Sequence, residues 1–455
     1  MGGAMASTDG TARARVPLAA VAVLLGAAVL AATISIDGSL RAAVGLAALA
    51  ATGSFWGLGL LGPELGSTDV SARTRAIVES GSVGVVCVAA GLSLYYVSVH
   101  AWTLVTGEAA AFPDLLFRWD AHWFETIVQY GYDEQPVQEG KLIGQANWAF
   151  FPLYPMIVRG VVTLTGIPVA TAGTVTSVAA LAVGCAFTYR YLVLTRSRMV
   201  ARIGASLLAV GPYSFYAYTL YSEALFVCLI AIGFWALHTG RYAAAALAGA
   251  AMSATRGVGV LFGLAFLLHL VWRTDAFDPL RSRGLGRDRS TLEAVGALLR
   301  DRRIQLGALI PVGLAAFAAY LWWHVGDPMA FASVQSAWGR EPGDPFGRLV
   351  DGLLGADGSD RYLAGFGILG LAAALDLVRR GRPVEGVFGF ALLIVPIVSG
   401  LNSIPRYVFG TAVLVYALAD HVSRNEWTKA LGLVLLGAAN VLLLALWFSG
   451  HNIVN

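Results

Sequence analysis

Residues 118–124 bring together the side chains of this chain that are best suited to proton transfer. They read Arg-Trp-Asp-Ala-His-Trp-Phe, within a chain that is otherwise mostly apolar. A carboxylate held beside a hydroxyl group can take its proton, and a histidine can orient that carboxylate or contact the substrate. Asp120 is therefore the candidate general base and His122 the second candidate catalytic residue. Trp119 and Trp123 are candidates for an aromatic wall that faces a substrate.

The same residues also fit an anchor helix at a membrane surface. If 117–128 is helical, Trp119, Trp123 and Ile127 are spaced four apart and share one face. Tryptophans on such a face are typical of a helix lying among lipid headgroups. The acid and the histidine between the tryptophans favour a catalytic site. The spacing alone leaves open both a catalytic site and an anchor helix.

Two prolines spaced three apart mark a second motif, at 151–155. Proline stops regular helix, so Pro152 and Pro155 fix either a bend or the first turn of a helix. A bend would bring Tyr154 over a groove, where it would bind substrate. Both interpretations remain open here.

An arginine interrupts a long apolar run at 241–272. A membrane-depth arginine costs roughly 2.5–3.5 kcal/mol on insertion scales, so it faces a cavity or a partner. Arg256 is read either as one half of a buried ion pair, with Glu223 as its partner, or as a cation for a lipid-linked phosphate. Glu223 lies two residues after Tyr221, at the start of an apolar run. It is interpreted either as an acid in the first turn of a helix or as an inward-facing residue that binds the acceptor, an arginine or a metal ion.

The remaining candidates follow in the second half of the chain. Arg406 begins another apolar run and is interpreted as an interfacial side chain or as a second phosphate-binding cation, with Tyr407 beside it. The aromatic and polar segment after residue 326 resembles the composition of sugar sites. Its candidate substrate-binding residues are Gln335, Trp338 and Arg340.

Composition places these residues in a membrane protein. Charged residues make up 13% of the 455 residues and hydrophobic residues 57%, whereas soluble domains carry about 25% charged residues. The fold class predicted is an all-α polytopic membrane protein with about 12–14 transmembrane helices and amphipathic helices in the first large outer loop. Apolar runs of spanning length lie near 17–35, 41–62, 77–103, 168–189, 200–217, 221–239, 304–325, 361–378, 384–400, 405–421 and 428–449. The run 241–272 suggests a broken helix or a tight hairpin.

Arginine-rich segments set the predicted orientation. The positive-inside rule places 190–202, 273–303 and 379–382 in the cytoplasm, together with the N-terminus. The outer face then receives the loops 104–167 and 326–360 and the C-terminus. The run 149–166 is taken as interfacial or re-entrant, because a further crossing there would reverse the segments that follow.

The predicted organisation has three parts. Residues 1–76 form a cytoplasmic tail and two extra spans, 77–421 a catalytic membrane domain, and 422–455 a final span with an outer C-terminus. The small net charge of +3 gives no indication of nucleic acid binding. There is no phosphate-binding Walker loop, no dinucleotide-binding glycine motif, no HExxH and no DxD in the outer loops, so a sugar donor is expected to be borne on a lipid.

The ordered set of motifs resembles the PIG-V family of mannosyltransferases, a prokaryotic-type member, within the multispanning GT-C glycosyltransferases. The resemblance runs from about residue 77 to 421. It is carried by Trp119–Phe124, Phe151–Pro155, Tyr221–Phe226, Thr255–Gly257 and Pro405–Tyr407.

That resemblance implies an inverting transferase at the outer face of the plasma membrane. It implies a polyprenyl- or dolichyl-phosphate sugar as donor, most often mannose, and a glycolipid or glycan as acceptor. Asp120 matches the position of the base, and Arg256 and Arg406 are expected to bind the donor phosphate. No cofactor and no metal ligands are assigned, and a requirement for Mg²⁺ or Mn²⁺ is left open. The rival interpretations are a transporter or flippase of lipid-linked sugars and a non-catalytic subunit of a membrane complex.

Overall fold

The computed structural model describes residues 72–107, 115–273 and 300–451. The two predicted N-terminal spans, most of the predicted loop 273–303 and the last four residues lie outside these ranges. Every regular element within them is helical, which confirms the predicted all-α class.

The first half of the described chain contains α1 (Ala72–Thr106), α2 (Asp120–Tyr130), α3 (Leu153–Thr165), α4 (Val169–Thr195), α5 (Arg198–Val210), α6 (Glu223–His238), α7 (Tyr242–Thr255) and α8 (Phe262–Arg273). The second half contains α9 (Arg302–Gly307), α10 (Val312–Val325), α11 (Ala330–Ser333), α12 (Pro345–Leu354), α13 (Gly358–Arg379), α14 (Pro383–Ser399), α15 (Ile404–Gly410), α16 (Ala412–Val422) and α17 (Glu426–Phe448). Short 3₁₀ segments lie at Asn147–Ala149, Ser214–Tyr218, Gly257–Leu261 and Val334–Trp338.

Within the described ranges, five helical stretches are long and apolar enough to cross a membrane. They are Arg73–Thr106, Val169–Thr195, Arg302–Val325, Gly358–Arg379 and Glu426–Phe448. Six shorter apolar helices accompany them, among them α3. At 1.5 Å per residue the 13 residues of α3 span about 20 Å, which is less than the roughly 30 Å of a bilayer core. The length of α3 therefore favours the interfacial or re-entrant interpretation of 149–166.

Helix α4 lies at the centre of the bundle and packs against α1, α3, α5 and α6. Helix α6 packs in turn on α7, and α7 on α10. The second half is built around the pair α13 and α14, while α17 returns to pack against α1 and α16.

The predicted break in the run 241–272 is present at Arg256. Helix α7 ends at Thr255, Arg256 is extended (φ −152°, ψ 137°), and a 3₁₀ turn leads into α8. A Cβ on Gly259 would lie 2.3 Å from the carbonyl of Met252, so only glycine permits this turn to fold back on α7.

Two other predicted runs are less continuous than expected. Residues 405–421 form two helices, α15 and α16, separated by the extended residue Thr411 (φ −100°, ψ 98°). Residues 200–217 form the 13-residue α5 followed by a 3₁₀ segment. Both runs are apolar and helical, as predicted, but hydrophobicity does not reveal where a helix stops.

The arginines predicted for the cytoplasmic side include one that joins three helices. Arg196, at the end of α4, contacts Glu385 of α14 (Nη2–Oε2 2.5 Å) and Asp420 of α16 (Nε–Oδ2 3.0 Å). This buried cluster ties the end of α4 to α14 and α16.

Candidate active site

Asp120 is the first residue of α2, and the backbone just before it has an uncommon conformation. Trp119 has φ 46° and ψ −112°, a region that non-glycine residues seldom occupy. The Tyr221 hydroxyl holds this turn by donating to the carbonyl of Arg118 (2.8 Å) and accepting from the amide of Asp120 (3.1 Å). The Trp119 ring packs edge-on against Trp447, with centroids 4.5 Å apart.

The last helix therefore supports the segment that carries Asp120. Besides the Trp447 contact, Arg118 donates from Nη2 to the carbonyl of Phe448 (2.6 Å). Further along α17, buried Asn440 donates to the carbonyl of Val210 (3.0 Å), which ties α17 to the end of α5.

Asp120 belongs to a chain of four charged side chains. Its Oδ2 accepts from Nη1 of Arg406 at 2.7 Å. Arg406 also donates from Nε to Oε1 of Glu223, which accepts a second bond from Nη1 of Arg256 at 2.6 Å. The side chain of Glu223 is 4% exposed, whereas that of Asp120 is 25% exposed. The buried members are thus each paired with an opposite charge, as burial of ions requires.

Aromatic rings cover the two arginines of this network. The guanidinium of Arg406 lies 4.9 Å from the ring centroids of both Tyr216 and Tyr221. That of Arg256 lies 4.9 Å from the ring of Tyr407. Contact with the ring faces favours a cation here.

The network borders a cavity of about 440 Å³, a size typical of ligand sites. Its polar lining comprises Asp120, Ser222, Thr255, Arg256, Gln335, Arg340, Ser403, Arg406 and Tyr407. Its aromatic lining comprises Phe124, Phe150, Phe151, Phe331 and Trp338. One carboxylate, three guanidinium groups and an aromatic wall thus face one space.

Arg340 reaches the cavity from the predicted outer loop 326–360. The 3₁₀ segment Val334–Trp338 ends at Gly339, whose positive φ (+67°) reverses the chain. The side chain of Arg340 then donates from Nη1 to Oε1 of Gln335 at 3.1 Å.

The structure brings together seven of the residues singled out from sequence. Asp120, Arg256, Gln335, Trp338, Arg340, Arg406 and Tyr407 all line the cavity. Trp123 lies directly behind the aromatic wall, stacked on Phe150 (6.2 Å between centroids) and edge-on to Trp338 (5.9 Å).

His122 does not join Asp120 in this arrangement. Its side chain is 66% exposed, with Nδ1 4.0 Å from Oε2 of Glu125 and its ring edge-on to Phe117. The predicted shared face of Trp119, Trp123 and Ile127 is also wrong, because Trp119 precedes the helix.

Tyr154 lies in the protein core, which corrects its prediction as a substrate-binding residue. Its hydroxyl is 2.7 Å from Oγ of Ser177, and the side chain is fully buried. Pro152 caps α3 and Pro155 lies in its first turn, so the motif starts a helix.

Trp119, Tyr221 and Glu223 also lie behind the cavity wall rather than in its lining. Tyr221 and Glu223 are buried, and they position the backbone and the guanidinium groups that border the cavity. The ion pair between Arg256 and Glu223 is present, as in one of the two interpretations of Arg256 predicted from the sequence.

Two kinds of contributing residue were missed from sequence. Phe150 and Phe151 form part of the wall, and their position just before Pro152 was the available signal. Tyr216 and Trp447 lie in apolar runs that are far from Asp120 in the sequence, and no local pattern distinguishes them. Within the described ranges, no group of three or more His, Cys, Asp or Glu side chains is arranged to hold a metal ion.

No protein-family model and no curated protein matches this sequence. Among solved structures, the oligosaccharyltransferase of Archaeoglobus fulgidus in complex with Zn and sulfate is similar at a TM-score of 0.41 and 13% identity, covering 80% of this chain and 53% of that one. The archaeal oligosaccharyltransferase AglB from the same organism, in complex with an inhibitory peptide and a dolichol-phosphate, gives a TM-score of 0.38 at 13% identity, covering 84% and 56%. The chain thus spans about half the length of these proteins, and a likeness this distant assigns no family.

Proposed function

We propose that this protein is an integral-membrane glycosyltransferase that transfers a sugar from a polyprenyl or dolichyl phosphate to a glycolipid or glycan. The observation that carries the proposal is the cavity in which one carboxylate, Asp120, lies among cations and aromatic side chains. Transfer from a lipid phosphate requires a base for the acceptor, positive charge for the leaving group and a surface for the sugar. Mannose and the PIG-V-like subfamily are the expectation from sequence.

Asp120 acts as general base in this proposal. One carboxylate oxygen is held by Arg406, which orients the group and leaves Oδ1 for an acceptor hydroxyl. As the acceptor oxygen forms its bond to the anomeric carbon, its proton passes to Asp120. The bond from that carbon to the phosphate oxygen breaks, and the electron pair leaves with the phosphate. The configuration is inverted, so a β-linked phosphomannose gives an α-mannoside.

The departing lipid phosphate is a stable anion, so it needs cations more than a proton donor. Arg256 and Arg406 are held in place by Glu223 before substrate arrives. A guanidinium group has five N–H donors, and the hydrogen bonds to the two carboxylates leave further donors for phosphate oxygens. Such preorganised charge stabilises the transition state without reorganisation during the reaction.

The aromatic side of the cavity would hold the sugar ring. Trp338 and Phe150 form that side, and Trp123 supports both from behind. Gln335 supplies an amide that can hydrogen-bond to sugar hydroxyls.

The deciding experiment replaces Asp120 by Asn in the full chain. Labelled heptaprenyl phosphomannose is supplied with the lipid fraction of the source cells as acceptor. General-base catalysis contributes roughly 10²–10⁴-fold, so we expect Asp120→Asn to lower the transfer rate by about that factor. Donor affinity should be kept or increased, because Arg406 loses a competing carboxylate.

Glu125→Gln is the matched control, since Glu125 lies on the same helix but does not line the cavity. It should transfer at nearly the wild-type rate. Near-normal transfer by folded Asp120→Asn would remove Asp120 as the base. Absence of any transfer by the wild-type chain, with tight binding of intact sugar lipid, would instead favour a flippase or a non-catalytic subunit.

A further inference from the structure

The charges around the cavity do not balance. Three arginines line it, and within the described part of the chain the carboxylates that contact them are those of Asp120 and Glu223. Among these five side chains, one positive charge is therefore in excess.

The contacts identify the arginine that carries this excess. Arg256 shares Glu223 with Arg406, and Arg406 also contacts Asp120. Arg340 instead donates to Gln335, whose amide oxygen is neutral. Arg340 therefore offers an arriving anion a cation that no carboxylate neutralises, whereas Arg256 and Arg406 already share two carboxylates.

We propose that Arg340 is the residue that receives the donor phosphate and limits the charge the site accepts. This inference rests on the proposed function and adds to it the residue that selects the headgroup. A sugar phosphodiester carries one negative charge and neutralises the excess. A sugar diphosphate carries a second negative charge, which would remain unpaired in a partly enclosed cavity at considerable cost.

The local structure suits Arg340 to this task. The left-handed Gly339 turns the chain immediately before Arg340, and the bond to Gln335 orients its guanidinium. A guanidinium can hold two phosphate oxygens at once, which an ammonium group cannot do in the same planar geometry. Lysine at this position should therefore restore the charge but only part of the affinity.

The test measures equilibrium binding to the purified full chain in detergent. The probes are heptaprenyl phosphomannose, a phosphodiester, and heptaprenyl diphosphomannose. Charge-assisted hydrogen bonds contribute roughly 1.5–3 kcal/mol, so Arg340→Gln should weaken phosphodiester binding about 10- to 100-fold. The phosphodiester affinity of Arg340→Lys should fall between those of the wild type and Arg340→Gln. Arg361→Gln is the matched control, because Arg361 is exposed near the start of α13 and does not line the cavity.

The outcomes separate this inference from the proposed function. Equal phosphodiester binding by wild type and Arg340→Gln, with transfer intact, would overturn the role of Arg340 and leave the transferase standing. Tighter binding of the diphosphate to wild type would overturn the charge limit. No binding of either probe to wild type would overturn both proposals. Unchanged thermal unfolding of Arg340→Gln shows that its weaker binding is not a folding defect, and Arg340→Lys provides a second variant.

Discussion

At the scale of single residues, the site depends on Glu223 as much as on Asp120. Glu223 is buried between Arg256 and Arg406 and accepts hydrogen bonds from both. Removing one partner from a buried ion pair leaves uncompensated charge, which is more costly than the pair is stabilising. Glu223 therefore has a structural role that can be separated from catalysis.

Glu223→Gln should destabilise the protein by about 3–5 kcal/mol, the range measured when a buried ion pair loses one member. The readout is the thermal unfolding midpoint in detergent, with Glu125→Gln as the partly exposed control. An unchanged midpoint would mean that Arg256 and Arg406 find other partners.

Sequence could predict the types of residue at the site but not all of its contacts. The pairing of Arg256 with Glu223 followed from the need of a membrane-depth arginine for a partner. The contact between Asp120 and Arg406 joins residues 286 positions apart, and no local pattern encodes it. The placement of Tyr154 was wrong for a related reason, because a proline motif does not show which side of a helix start faces a cavity.

At the scale of helices, the cavity is assembled where helices are interrupted. Helix α2 begins at Asp120, α6 begins at Glu223, and α7 ends next to Arg256. Arg256 and the glycines after it indicated the last of these interruptions in the sequence. The end of α15 before Thr411 lies in a continuous apolar run, where composition gives no sign of it. Hydrophobicity thus predicted the helices better than their ends, and the site is built from the ends.

Gly259→Ala should disturb the turn that presents Arg256. The added methyl group would lie 2.3 Å from the backbone carbonyl of Met252, so the turn must move. We expect a loss of about 1–3 kcal/mol in unfolding free energy, together with slower transfer. Unfolding and transfer assays of Gly259→Ala are compared with Gly263→Ala, whose added methyl meets only Ile310 at 3.9 Å. Equal behaviour of the two variants would show that the turn has room to adapt.

At the scale of the molecule, the final helix packs against the segment that carries Asp120. The sequence resemblance ended near residue 421, and α17 was predicted as a separate final span. Trp447 nevertheless packs on the residue before Asp120, and Arg118 bonds to the end of the same helix. The packing around Asp120 therefore extends to at least residue 448, which only the long-range contacts of the folded chain reveal.

The predicted orientation can be tested by cysteine labelling in intact cells. The three native cysteines are buried and should give little background. Gln138→Cys, in an exposed loop next to the cavity segments, should react with a membrane-impermeant maleimide. Arg379→Cys, exposed at the end of α13, should react only after permeabilisation. The reverse pattern would place the cavity on the cytoplasmic side.

The conformation of Trp119 has a consequence for motion near Asp120. A non-glycine residue held in a sparsely populated backbone region stores strain of order 1–3 kcal/mol. The Tyr221 hydroxyl and the ring of Trp447 hold this strained turn in place. If α17 loosens, the turn loses its contact with Trp447, and the residue that follows Trp119 is Asp120. The position of Asp120 thus depends on a strained turn that is held by residues far along the chain, Tyr221 and Trp447.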